Sequence, residues 1–482
     1  MPGARMAFDR YHATMGNFSM TRHAAIGDPL AWRRARFYVT QRKLPFAPCV
    51  GHERLLESLV AKNLDIPRLR FLREDKAGLH LIAEELARAT LPFEIRAVRP
   101  GTIVFPQEPI ADIAGPFAET QMAEVWFEHA FDEPMTVAGN ALAMRFEAGE
   151  RWLSDFSLRR DGGLDRACEI AKYAYIGGFN DTSNMEAAFL LDLNPVGTMA
   201  HYLVQAFHGF LAASQASGKE YPEKDELGRK KHFEQVAFER WLDAHPSGTT
   251  LLLDTVSLRL GTIHAIRAAK SSEKRRAALK AVRIDSGDLI KNALWVQRML
   301  DVNALQGVKI ILTSDLNVKA IREIVSACPF VYGFGVGTKL AAEVEHIAGV
   351  IFKLCEISGE PTAKCSETPG KETSPGALQV WRYADQDGFF VKDVIGLQHE
   401  QTERGAIPLL VSFWGFDRGV QIPSPKEQRE FVLWQLKHFR DIRNYPVEMS
   451  PELTALRQRI VKAMKEDEAG EDDVCVVEYP VP

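Results

Sequence analysis

One stretch of the chain, Ile176 to Val204 (IGGFNDTSNMEAAFLLDLNPVGTMAHYLV), carries the residue types that chemistry needs. It opens with a turn-rich block, Gly177-Gly178-Phe179-Asn180-Asp181-Thr182-Ser183-Asn184, and continues as a helical run from Met185 to Leu191. Pro195-Val196-Gly197-Thr198-Met199-Ala200 then reads as a strand ending at His201. Small and hydroxylated residues on both sides of a helix let a backbone approach a ligand. A lone imidazole stands where the strand should end. A helix hairpin with an incidental histidine fits the same residues.

Three further constellations have the form of ligand contacts. Arg283-Ile284-Asp285-Ser286-Gly287-Asp288 puts Arg283 and Asp285 on one face of a strand and Ile284 on the other. Charges at a strand end need partners, which a salt bridge or a charged ligand would supply. Asp155-Phe156-Ser157-Leu158-Arg159-Arg160 sets an aromatic and a guanidinium at another strand end; an aromatic face stacks on a flat ring and Arg grips a carboxylate with two bonds. Val331-Tyr332-Gly333-Phe334-Gly335-Val336-Gly337-Thr338 runs a strand into a glycine-rich turn before a helix. Exposed N–H groups at such a helix start hold phosphate, although glycine-rich turns are common without one. It is neither the dinucleotide fingerprint nor a Walker loop. No His/Cys cluster has zinc spacing, no HExxH or GxSxG occurs, and the only Asp-Asp pair, Asp472-Asp473, lies in the tail.

The elements that must position these residues follow from periodicity. Between about 150 and 345, strand candidates recur at Leu153–Leu158, Val196–Met199, Thr249–Asp254, Val282–Asp285, Lys309–Thr313 and Val331–Phe334, with helices such as Asp288–Leu300 and Val318–Cys328 between them. Repeated strand-then-helix units predict a parallel sheet closed into a barrel, whose chemistry gathers at the strand C-termini. Residues 1–150 read instead as a sheet-and-helix unit. It holds a helix after Asp9, a half-buried strand at Arg36–Thr40, a helix over Gly51–Leu64 stopped by Pro67, a helix over Leu79–Arg88, and strands at Phe93–Val98 and Ile103–Phe105. Residues 346–482 return to strands at Val350–Ile357 and Leu378–Tyr383, around a turn-rich loop at Ser358–Pro375. Helix follows from Ser424 to Met464, its last member opening on Ser450-Pro451, before an acidic tail from Lys465 that is expected to be mobile, apart from a short docking strand at Val474–Val477.

Composition bounds the class. The chain has 482 residues, 46% of them hydrophobic, and a net charge of −5. That length supports two or three domains, and the charge argues against a nucleic-acid binder. Its six cysteines form no CxxC pair, and neither a signal-peptide core nor a run of about 18 apolar residues occurs. The expectation is a cytoplasmic, intracellular enzyme with no membrane partner.

Eight stretches in consistent order resemble the nicotinate phosphoribosyltransferase family, with nicotinamide phosphoribosyltransferase as a close cousin. They are RKLPF (42–46), PGTIVFP (100–106), FSLRR (156–160), the stretch from Ile176, VRIDSGDL (282–289), SDL (314–316), FGVGT (334–338) and the run from Lys353 through Gln379. The resemblance implies an α/β fold, an irregular TIM-like β/α barrel with a packed α/β open-faced sandwich domain, usually a homodimer with shared active sites. The implied reaction joins nicotinate to 5-phosphoribosyl 1-diphosphate, with Mg²⁺ as cofactor, ATP as co-substrate and His201 as the phosphorylated residue. By the same match Phe156 and a partner subunit's counterpart of Tyr11 sandwich nicotinate, Arg159 and Arg283 hold its acid and a nearby phosphate, and Thr198 adds a hydroxyl. Asp285 faces the ribose, Asp315 takes ribose hydroxyls or Mg²⁺ through water, and Gly335, Gly337 and Thr338 cradle phosphate.

Ser183 separates substrates within the resemblance: the nicotinamide-using cousin has an aspartate there, which would repel a carboxylate. Arg159-Arg160, where the cousin has Arg followed by Gly, points the same way. The chain departs from the pattern at Ser157, usually Gly, and at Val256-Ser257, usually Tyr-Asp. A nicotinamide-using enzyme, a quinolinate-type relative and a diverged non-catalytic nucleotide-binding barrel are the rival expectations.

Overall fold

The computed structural model describes residues 6–21, 29–60, 64–87, 93–217, 224, 228–366, 372–414 and 421–469. The chain divides into two compact units, Met1–Gly139 with His346–Pro482, and Asn140–Glu345. Both mix α and β structure.

The first unit is built on a six-stranded sheet in the order Glu360–Pro361, Ile351–Ile357, Arg34–Thr40, Pro109–Pro116, Glu94–Val98 and Leu410–Trp414, every pairing antiparallel. The strand expected to be half-buried at Arg36–Thr40 is central instead. Phe37, Tyr38, Val39 and Thr40 are all buried, so its alternation carries no exposed face. The helix Glu124–Ala148 presses Trp126, Phe127, Ala130, Phe131 and Met135 into the same core as Phe37, Val39, Ile113 and Phe352. Its apolar residues cover every side and Pro134 lies inside it, so no one-face period marks it in the sequence. A four-stranded sheet from Leu378–Ala384, Phe390–Leu397, Ile407–Pro408 and Val447–Met449 completes the unit.

Local signals here mostly hold. Asp9 precedes the helix Arg10–Ser19, and Ser450 caps Pro451–Ala469, its Oγ accepting from the Leu453 amide at 3.1 Å. Pro67 is a correction: it lies in the first turn of the helix Ile66–Arg73, with Asp65 as N-cap, and does not end the helix before it. A first-turn proline loses no intrahelical bond, so it marks starts as well as stops. The stretch expected to be helical from Ser424 is two helices, Pro425–His438 and Pro451–Ala469, separated by the strand Val447–Met449. The strand expected at Val474–Val477 lies outside the described residues, as do residues 61–63 and Arg88.

The second unit carries the site, and its elements are numbered here within it. Its strands are β1 (Trp152–Asp155), β2 (Asp181–Thr182), β3 (Thr249–Leu252), β4 (Leu279–Ile284), β5 (Lys309–Leu312) and β6 (Gly333–Val336). They form one parallel sheet in the order β2-β1-β6-β5-β4-β3. The helices are α1 (Leu164–Ile176), α2 (Met185–Leu191), α3 (His201–Ala216), α4 (Phe233–Ala244), α5 (Leu258–Lys270), α6 (Glu273–Ala278), α7 (Leu289–Val302), α8 (Val318–Ala327) and α9 (Thr338–Ala341). From β3 onward each strand reaches the next through helix, the crossover that parallel pairing requires. Leu153, Leu252, Ile284, Leu312 and Phe334 are all at most 1% exposed, as expected for strands covered on both faces.

One strand expectation fails. Residues 193–200 form no strand, and only the Val196 amide bonds toward the sheet, to the Thr182 carbonyl at 3.0 Å. Pro195 has no N–H to offer a ladder and Gly197 no side chain to pack. His201 is therefore the first residue of α3, not the last of a strand.

Candidate active site

Because the sheet is parallel, every strand delivers its following residues to one edge. Phe156 follows β1, Ser183 follows β2, Asp254 and Thr255 follow β3, Asp285 follows β4, Thr313 to Asp315 follow β5, and Gly337 and Thr338 follow β6. The loop after α2 adds Thr198, and the start of α3 adds His201.

The centre of this edge is a hydrogen-bonded group from β3, β4, β5 and α3. His201 Nδ1 lies 3.1 Å from Thr255 Oγ1, and its Nε2 is 3.8 Å from Asp285 Oδ2. The Thr313 hydroxyl donates to Asp285 Oδ1 at 2.6 Å. Asp254 Oδ2 accepts from the Asp285 amide at 2.9 Å and from Ser286 Oγ at 2.6 Å. So Asp285 is held through its own backbone and one carboxylate oxygen, leaving Oδ2 toward the imidazole.

Arg283 precedes this group on β4. Its Nη2 donates to the Met199 carbonyl at 3.3 Å, and its Nε is buried with no hydrogen-bond partner among the described residues. Burial pulls the guanidinium below its ordinary pKa; Asp285 and Asp254 oppose that shift and the charge of Arg159 adds to it. Two guanidiniums that feel each other's charge are stabilised by an anion.

Phe156 is positioned from both sides. A Cβ on Gly335 would lie 2.5 Å from its ring and one on Gly337 3.1 Å from its carbonyl oxygen, so the glycines of the β6 turn are needed for this close approach. Asp155, fully buried, accepts from the Ser157 amide at 2.8 Å and from the Thr182 hydroxyl at 2.7 Å, which ties the end of β1 to the end of β2. Burial raises its carboxyl above the ordinary value and these donors oppose the rise. Ser157, the departure from glycine, has its hydroxyl 3.3 Å from Asp161 Oδ2 and is itself fully buried, directed into the loop.

The polar run Asn180 to Asn184 divides cleanly. Asn180 Oδ1 accepts from Arg145 and from the Leu153 amide, Asp181 from the Trp152 indole, and Thr182 bonds Asp155; Asn184 caps α2. Ser183 is half-buried, and its hydroxyl makes no hydrogen bond among the described residues. Since Asp155 pairs with Thr182, Phe156 and Ser183 are neighbours at the edge.

Ser314 and Asp315 both adopt left-handed backbone angles, φ 91° and 41°, and Asp315 is exposed. Non-glycine residues in that region are strained, and such strain clusters at ligand sites. Thr198 is half-buried, its Oγ1 3.2 Å from the Met199 carbonyl. Tyr11 belongs to the first unit, where its hydroxyl donates to Glu124 Oε2 at 2.8 Å; burial and that carboxylate hold the phenol above its ordinary pKa.

Sequence reading singled out His201, Arg283 and Asp285 but not their supports. Asp254 ends the strand candidate Thr249–Asp254 and Thr255 follows it; Thr313 and Thr182 carry no signal beyond their type. At the departures, Ser257 caps α5, its Oγ accepting from the Leu260 amide at 3.2 Å, and Val256 is exposed.

The model of the nicotinate phosphoribosyltransferase (NAPRTase) family matches residues 152–400, which span this whole edge. The chain is 30% identical over 446 residues to a nicotinate phosphoribosyltransferase of Mycobacterium tuberculosis, covering 88% of the chain and 89% of that protein. It is 28% identical over 489 residues to that of Bacillus subtilis, covering 92% and 94%. The crystal structure of human nicotinic acid phosphoribosyltransferase shares the fold at a TM-score of 0.70 and 23% identity, over 94% of this chain and 99% of that one. By family match and by near full-length similarity, the chain belongs to the nicotinate phosphoribosyltransferase family.

Proposed function

We propose that this enzyme transfers phosphoribosyl from 5-phosphoribosyl 1-diphosphate to nicotinate in NAD salvage and couples the transfer to ATP through His201. The observation that carries the reading is the His201–Asp285–Arg283 cluster at the strand ends, a carboxylate and an imidazole beside a guanidinium whose buried Nε has no partner among the described residues.

The pyridine ring lies on Phe156, its carboxylate toward Arg159 and Arg283, with Ser183 adding a neutral hydroxyl and Thr198 another. The ring nitrogen attacks C1 of the ribose; the C1–oxygen bond breaks and diphosphate leaves with the electron pair. Asp285, already oriented by Thr313 and Asp254, faces the positive charge that develops on the ribose, the kind of preorganised electrostatics that needs no rearrangement in the transition state. Gly337 and Thr338, with Gly335 keeping the room, hold phosphate at the start of α9.

His201 opens the helix α3, whose N-terminal end favours negative charge. A phosphoryl group moved from ATP to its imidazole would sit there beside the diphosphate site, and its hydrolysis by water would accompany product release. Asp315, exposed and with its carboxylate free of hydrogen bonds among the described residues, fits a carboxylate that binds Mg²⁺ through water or takes ribose hydroxyls. Held there by Asp315, Mg²⁺ would supply countercharge to the departing diphosphate.

The reading further includes an irregular TIM-like barrel built on the parallel sheet, a homodimer in which the partner's copy of Tyr11 closes the nicotinate site, and a cytoplasmic protein. The free thiols of the five described cysteines are in keeping with the last.

The test is mononucleotide formation from nicotinate and from nicotinamide, each with phosphoribosyl diphosphate and Mg²⁺, with and without ATP. Turnover of nicotinate raised by ATP, with the stimulation lost in His201→Ala, supports the reading. Turnover of nicotinamide instead overturns the role of Ser183, a His201→Ala enzyme still stimulated by ATP overturns that of His201, and no turnover of either favours a diverged binding barrel.

A further inference from the structure

Away from the strand ends, two helices of the second unit bring together side chains that the transfer reaction does not use. His232 is the N-cap of α4, Glu234 lies in its first turn, and His264 is in the middle of α5. His264 Nδ1 is 2.7 Å from Glu234 Oε2, and the imidazoles of His232 and His264 lie face to face with centroids 4.4 Å apart. One donor atom from each of the three residues lies within 4.8 Å of the other two.

We propose that His232, Glu234 and His264 bind one divalent transition-metal ion of the zinc class. An ion pair between Glu234 and His264 would account for one carboxylate oxygen only. Glu234 is fully buried, and its Oε1 has no hydrogen-bond partner among the described residues. A buried carboxylate oxygen without a partner is costly, and a cation meets that cost directly. Two imidazole nitrogens and one carboxylate oxygen form a donor set of intermediate softness, suited to zinc and poorly suited to Mg²⁺, which asks for an octahedron of oxygens.

The geometry needs one adjustment. Ligands of a tetrahedral zinc sit about 3.3 Å apart, given bonds near 2.0–2.1 Å. The Glu234–His264 pair is already closer than that, so the adjustment falls on His232, which must turn inward by up to about 1.5 Å. It can do so: it is half-buried, it precedes the helix, and its Nδ1 accepts one long bond, 3.3 Å, from the Glu234 amide. The half-buried side also leaves a fourth position open to water, as three-ligand zinc sites have. An ion there would pin the start of α4 to α5, the helix that begins three residues after Thr255, the partner of His201.

The test uses the untagged full chain, stripped with a chelator and titrated with Zn²⁺ by calorimetry and with Co²⁺ by visible absorption. The expected result is one equivalent per chain, with the visible bands of a four-coordinate Co²⁺ site that Mg²⁺ does not displace, and a rise in melting temperature on adding zinc. His232→Ala leaves the buried Glu234–His264 pair in place, so it should fold with an unchanged circular dichroism spectrum. It should bind zinc more than about a hundredfold more weakly, beyond the cost of losing an outer partner, and show no thermal response to zinc. His264→Asn should do the same. No stoichiometric binding by the wild type overturns the proposal, and so does zinc affinity unchanged in His232→Ala, which would assign the ion to the cysteines.

Discussion

Gly335 lies directly beneath the Phe156 ring: a methyl group at Gly335 would stand 2.5 Å from it, and the Thr313 side chain, 2.7 Å away, blocks the other direction. The glycine in β6 and the aromatic after β1 are thus one unit, joined across the Phe334–Leu153 and Gly335–Ser154 pairs. Gly335→Ala must push Phe156 off its position. We expect kcat/KM for nicotinate to fall about 10- to 100-fold, mostly through KM, because a displacement near 1 Å at a substrate contact costs on that order. Steady-state kinetics together with a melting curve checks it; loss of stability with unchanged KM would mean that Phe156 does not hold substrate.

Ser183 stands beside Phe156 with its hydroxyl uncommitted among the described residues, so on the proposed function a charge introduced there would meet a ring stacked on Phe156. Ser183→Asp should lower kcat/KM for nicotinate about a hundredfold, the scale of a like-charge contact, and raise that for nicotinamide. Competition between the two substrates reads the ratio directly. An unchanged preference would remove Ser183 from the site.

Ser257 is the N-cap of α5, its Oγ accepting from the Leu260 amide. Ser257→Ala should cost about 1 kcal/mol of stability, seen as a lower urea midpoint, with kcat unchanged. Ser257→Asp, which also caps, should keep the stability. A large loss of kcat in Ser257→Ala would mean that the residue contributes to the site.

Glu128 lies on the helix Glu124–Ala148, and burial, helped by Glu124 and Asp132 against Lys353, raises its carboxyl to about 7. A raised folded-state pKa means that its contribution is fully present below the unfolded value near 4.5 and is lost as pH rises through about 7. Glu128→Gln removes that loss. It should stabilise the protein by about 1 kcal/mol at pH 8, allowing for partial solvent screening, and leave it unchanged at pH 4. Thermal melts at the two pH values check the sign.

Much of the site was legible because strand ends announce themselves. Arg283 and Asp285 alternate around an apolar Ile284, and Ser450 sits where a cap must; these are local patterns, and the chain has little freedom to realise them otherwise. The resemblance of eight ordered stretches carried the chemistry further than periodicity could. What local patterns could not tell apart was strand from irregular chain at Pro195–Ala200, where a missing N–H and an empty side chain remove the ladder, or start from stop at Pro67. They could not show that the glycines of β6 answer to Phe156, nearly 180 residues earlier, or that of the polar run Asn180–Asn184 only Ser183 is left uncommitted. Nor could they bring His232 and Glu234 to His264. The sequence by itself determined which residue types stand at each strand end and in what order. Only the tertiary structure decided which of them touch, because that depends on strand order and register, set by contacts between residues far apart in the chain.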